Sequence, residues 1–217
     1  MLQGSIVLST SFKLELASYG ILIVSVILHE VSHGWAALAL GDDTAKRAGR
    51  LTLNPIAHID PLGTIILPAF LIITHAGFVF GWAKPVPVNV GRLRHPRNDA
   101  VLTGLAGPAM NVVLVGIAAV IMRQVHPETF WPFQLLWLFG MYNILLACFN
   151  LIPVPPLDGS SVVEWLLPRR WWGPYLQIRP YTLLIVFGLV IVLQRSGAWN
   201  DAYNYLADHW TSAIGYS

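Results

Sequence analysis

Charge is the scarcest commodity in this sequence. Only 11% of its 217 residues are Asp, Glu, Lys or Arg, against 55% hydrophobic, where roughly a quarter charged is usual for a soluble domain. That scarcity excludes an ordinary water-soluble enzyme and points to a membrane protein. A formal net charge of +2, with the arginines scattered among loops, excludes a nucleic-acid partner that would need a concentrated basic face. Cys148 is the one cysteine, so neither an intramolecular disulfide nor a multi-cysteine metal site can form, and packing is its expected role. Internal repeats, low-complexity tracts and a second soluble domain are all missing.

What the chain does have is long uncharged runs. Between Glu15 and Asp42 the one charged side chain is Glu30, and 61–83, 100–122 and 129–157 carry none. Each is long enough to cross a ~30 Å hydrocarbon layer as a helix of about 20 residues. A shorter run, 180–194, lies between Arg179 and Arg195, whose heads can reach the two interfaces. The first run outlasts a cleavable signal core of roughly 7 to 15 residues and is expected to stay in the mature protein. The expected fold is all-α and polytopic, with about five to six transmembrane helices. It reads as a single transmembrane domain over 1–217, with a core over 17–167 and an additional helix and amphipathic interfacial tail over 180–217.

Two loop segments stand out. Arg50-Leu51-Thr52-Leu53-Asn54-Pro55 and Lys84-Pro85-Val86-Pro87-Val88-Asn89 favour extended backbone by alternation and by proline content, which predicts short strand-like loops that offer an edge for pairing. Pro153, Pro155 and Pro156 must break any helix between the fourth run and a short helical piece over 157–167. A break at membrane depth is tolerated only in protein or beside water, which suggests a buried site.

The chemistry concentrates in one motif. His29-Glu30-Val31-Ser32-His33 is H-E-x-x-H, and the composition gives it a chance expectation of about 0.004. On a helix, residues four apart share a face, so two imidazoles can reach one metal ion while Glu30 faces a water beside it. The competing reading makes these groups a satisfied packing network. Three ionisable side chains inside an apolar span are expensive without a function, which favours the metal. A catalytic zinc normally takes a third protein ligand. His58, His75, Asp99, His126, Asp158 and Glu164 are candidates, and Asp158 is distinguished by its place after the prolines in Asn150-Leu-Ile-Pro-Val-Pro-Pro-Leu-Asp158-Gly159. An Asp before Gly at a helix start is as readily a cap as a ligand.

H-E-x-x-H inside an apolar helix, followed far downstream by N-x-x-P-x-P-x-L-D-G, resembles the site-2 protease family of intramembrane zinc metalloproteases. Further matches to its compact bacterial members, without PDZ or CBS domain, are Gly49-Arg-Leu-Thr-Leu-Asn-Pro55, Asp60-Pro-Leu-Gly-Thr64, Gly81-Trp-Ala-Lys-Pro-Val-Pro-Val-Asn89 and Gly107-Pro-Ala-Met-Asn111. The resemblance covers about residues 20 to 165. It implies zinc as cofactor, His29, His33 and Asp158 as its ligands, Glu30 as catalytic acid and base, and Asn150 as a polar group near the substrate or oxyanion.

It also implies a multi-pass protein of a bacterial plasma membrane, acting on transmembrane protein or peptide substrates, with a second copy of itself as a further candidate partner. Zinc binding without proteolysis, in metal transport or a pseudo-protease scaffold, is the alternative; it has no use for Glu30. The small residues Gly104, Gly107 and Ala109 suit close helix packing. Asn111 suits an interhelical hydrogen bond, Asn89 a turn, and His58 the ordering of its own loop.

Overall fold

The computed structural model describes residues 2–74, 82–124 and 130–216. Its main helices are α1 (Leu2–Ala39), α2 (Thr44–Arg47), α3 (Leu67–Ile73), α4 (Pro96–Met122), α5 (Phe130–Asn150), α6 (Ser160–Leu166), α7 (Arg169–Leu176), α8 (Thr182–Arg195) and α9 (Ala198–Ala213). Three stretches, Ala17–Ala39, Pro96–Met122 and Trp131–Asn150, are long and apolar enough to cross a membrane. On α4 large apolar side chains face outward, with Val112 62% and Val120 65% exposed. Such a belt suits lipid and would be costly in water. The protein is therefore a helical membrane protein.

The expected count of five to six spans is not reached among the described residues. It relied on 61–83, where a wide π-type turn (Pro61–Ile66) runs into the short α3 and residues 75–81 lie outside the description. It also relied on 180–194, where the apolar helical stretch Leu184–Leu193 is short for a bilayer. No strand forms among the described residues either. In 84–89 two prolines strip the backbone of donors, and side chains take over what a ladder would have held. Helix α7, over a segment rich in Arg and Trp with Pro174 inside it, was not foreseen.

The chain divides into two compact units, residues 26–107 and residues 1–25 with 108–217. In the first, the end of α1 is tied to its loops by backbone bonds. Asp42 N–H donates to Ala37 O at 2.8 Å and Arg94 N–H to Leu40 O at 3.0 Å. The fully buried Asp42 carboxylate accepts from the Thr44 hydroxyl, from Thr44 N–H at 3.0 Å and from Asn89 N–H at 2.6 Å.

In the second unit the core is Ala118 and Met122 of α4, Met141 of α5, and Trp210 and Ile214 at the end of the chain. Gly140 admits the Trp210 ring, for a Cβ there would stand 2.6 Å from its Cε2. Trp210 and Ile214 are buried while Asp201, Asp208 and His209 of α9 are exposed, the amphipathic tail the sequence predicts. Cys148 is exposed and lines an apolar cavity of about 160 Å³ with Phe149, Trp199 and Leu206.

Candidate metal centre

His29 and His33 sit one turn apart on α1, 4% and 9% exposed. Their Nε2 atoms are 3.3 Å apart. Two nitrogens bound to one zinc at 2.0–2.1 Å with a tetrahedral angle lie about 3.3 to 3.4 Å apart, so the pair has the separation that a shared zinc ion requires.

The tautomer of one ring follows from its neighbour. His33 Nδ1 is 2.7 Å from Thr103 O, and a carbonyl can only accept, so Nδ1 carries the proton and the Nε2 lone pair is the one available to a metal. Ser32 helps hold α4 here, its hydroxyl lying 2.6 Å from His29 O and 3.1 Å from Ala106 O. Gly107, next along α4, packs directly on both imidazoles.

Glu30, between the two rings in sequence, is half-buried. Its Oε2 accepts the Val86 N–H at 3.0 Å. Val86 lies between Pro85 and Pro87, neither of which has an N–H, so it offers the one amide donor of that tripeptide.

Asn150 and Asp158 belong to the other unit. Asn150 ends α5, and its amide donates to Leu146 O at 3.0 Å, using one of two N–H donors. The chain then doubles back, and Gly159 N–H donates to Asn150 O at 2.7 Å. Only a glycine fits there, because a Cβ would stand 2.8 Å from Ile152 O. Asp158 is thereby held at the entrance to α6, half-buried, with Ser161 donating to its backbone carbonyl at 2.6 Å.

Two other candidates, His58 and Asp99, have structural work. His58 Nε2 lies 2.9 Å from Thr52 O and its carbonyl accepts Lys84 N–H at 2.9 Å, so it orders its own loop. Asp99 Oδ2 accepts His95 N–H at 2.7 Å at the start of α4. The Asn89 side chain caps Gly91 N–H at 3.0 Å. Asn111 donates to Asn143 Oδ1 at 2.7 Å, an interhelical bond between α4 and α5. His75 and His126 lie outside the described residues. Sequence reasoning passed over Thr103 and Val86, which act through backbone atoms that no motif displays, and took Gly107 as a packing residue without seeing that it packs on the two histidines.

The model of Peptidase family M50 matches residues 127–193, the stretch that includes the Asn150 to Asp158 segment. "Putative zinc metalloprotease YwhC" of Bacillus subtilis is 39% identical over 178 residues, 78% of each chain. "Putative zinc metalloprotease Rip2" of Mycolicibacterium smegmatis is 30% identical over 70% of this chain and 61% of its own, and "Zinc metalloprotease MJ0392" of Methanocaldococcus jannaschii is 24% identical over 70% and 34%. No solved structure matches the chain. An all-helical membrane protein with H-E-x-x-H on an apolar helix defines the class of membrane metalloproteases. The chain belongs to peptidase family M50, the site-2 protease family.

Proposed function

We propose that this protein is an intramembrane zinc metalloprotease that hydrolyses peptide bonds within or near transmembrane segments of its substrates, in a bacterial plasma membrane. The observation that carries the reading is the buried His29–His33 pair at 3.3 Å with Glu30 on the same turn. His29 and His33 would hold the metal, and Asp158, the carboxylate at the matching position of the family's N-x-x-P-x-P-x-L-D-G motif, would be the third ligand. A bound zinc ion supplies acidity to a water, bringing its pKa toward ~7, and polarises the scissile carbonyl. Glu30 takes the proton of the attacking water and delivers it to the leaving amine. The Asn150 amide contacts the substrate carbonyl with its second N–H.

A transmembrane helix keeps its own carbonyls hydrogen-bonded, so the substrate must unwind locally before cleavage. Segment 50–54 bends at residues 51–52, and the backbone at Leu53, 58% exposed, is where the freed strand can pair.

The test compares purified wild type with Glu30→Gln, zinc-loaded in detergent, on transmembrane peptides containing Gly, Pro or Asn, read by mass spectrometry. Cleavage that a chelator removes and that falls by about 10² or more in Glu30→Gln is the expected result. Equal cleavage by both proteins rejects Glu30 as base. Bound zinc with no cleavage by either favours the non-proteolytic reading. Asp158→Ala is expected to lower the zinc-to-protein ratio.

A further inference from the structure

Arg50 is 8% exposed, yet its partners are neutral. Its Nη2 donates to Lys84 O at 2.6 Å and to Pro85 O at 3.3 Å. No carboxylate lies within ion-pair distance of it, and its Nε has no hydrogen bond, among the described residues. Burying a guanidinium against carbonyls alone is costly, and a loop staple of neutral groups would hold the chain as well. The cost calls for something that the clamp achieves.

The clamped carbonyls immediately precede the Val86 amide, and among the described residues that amide is the hydrogen-bond partner of the Glu30 carboxylate. Proline on either side limits the backbone freedom of Val86. With Lys84 N–H on His58 O at 2.9 Å and the next two carbonyls accepting from Arg50, the peptide plane that presents the Val86 N–H is held from the preceding residue onward. A Glu side chain otherwise samples several rotamers. Tying down Oε2 narrows the positions open to Oε1 beside His29 and His33.

We propose that Arg50 is a positioning residue for Glu30, acting through the backbone of Lys84, Pro85 and Val86. The inference rests on the reading of Glu30 as the proton-transferring base, and it adds to the reaction a residue 20 positions from Glu30. Arg50 does not touch the metal or the substrate; it determines where the base waits.

The experiment uses the full chain, zinc-loaded in detergent, with the transmembrane peptide it cleaves best. Arg50→Ala is expected to lower kcat at least tenfold, with KM within twofold and the zinc-to-protein ratio unchanged. Arg50→Lys, with one cationic head for two carbonyls, is expected to recover part of that loss. Combining Arg50→Ala with Glu30→Gln is expected to be no slower than Glu30→Gln alone, because both remove the same function.

Hydrogen exchange supplies a readout independent of cleavage. Val86 carries the one exchangeable amide of Pro85-Val86-Pro87, and its exchange is expected to speed at least tenfold in Arg50→Ala and in Glu30→Ala. Unchanged Val86 exchange in Arg50→Ala overturns the proposal, as do multiplicative losses in the double variant or an unchanged kcat. Loss of zinc or of fold in both Arg50 variants makes Arg50 a fold element and also overturns it. A wild type without Glu30-dependent cleavage rejects the hydrolase instead, and Val86 exchange then decides alone whether Arg50 holds that amide on Glu30.

Discussion

Gly107 lies against the ring of His29: a Cβ at that position would stand 2.6 Å from Cε1 and 2.7 Å from Nε2. Real Cβ contacts do not come so close, and the neighbours that would have to yield are the imidazoles themselves. The absence of a side chain on α4 is therefore part of how the two histidines on α1 keep their geometry.

Gly107→Ala should turn at least one ring away from its partner. Zinc affinity is expected to fall about 10- to 100-fold, the usual cost of disturbing the support of a metal ligand. Competition with a chromogenic chelator measures it, and unchanged affinity would contradict the close packing.

Asn143 anchors a buried polar triad. It accepts from Asn111 at 2.7 Å and donates to Ser25 Oγ at 3.0 Å and to Phe139 O at 2.8 Å, and all three side chains are fully buried. Asn143→Ala strands partners on α1 and α4, at about 1 to 3 kcal/mol. Unfolding in detergent should show it, and adding Asn111→Ala should cost less than it does alone.

Asp42 lends the loops after α1 a pH dependence. Burial pushes its carboxyl up, but the Thr44 hydroxyl, the Asn89 and Thr44 amides and the Arg92 charge together outweigh that and hold it below its ordinary 3.8. A depressed native value means that its stabilisation is complete above about pH 4 and is lost as pH falls through that lower value. Asp42→Ala is expected to lower the melting temperature clearly at pH 7, with the gap from wild type closing as the pH drops below 3.8.

Leu53→Pro removes an N–H from the exposed segment on which the unwound substrate is proposed to pair. Losing one such bond, worth roughly 0.5 to 1.5 kcal/mol, should slow peptide cleavage up to about tenfold while zinc content stays unchanged. Loss of zinc in that variant would indicate misfolding instead.

Much of this protein is legible one residue after another because the relevant periods are short. Four-residue spacing places His29 and His33 on one face of any helix, and uncharged runs of bilayer length announce α1, α4 and α5. The prolines around Asp158 announce a break. The strand-like loops are the instructive miss. Pro85 and Pro87 do favour extended backbone, but they also remove the donors that a ladder needs, so the segment is held by Arg50 and Glu30.

The sequence by itself determined the class of protein, the imidazole pair and the carboxylate beside it, since each is written in local spacing and composition. Only the tertiary structure decided that Thr103 sets the tautomer of His33, that Gly107 must lack a side chain, and that Arg50 and Val86 answer to Glu30. Those contacts join residues 70, 56 and 34 positions apart through backbone carbonyls and amides. Every residue carries the same backbone groups, so nothing in a side-chain sequence marks which of them will meet.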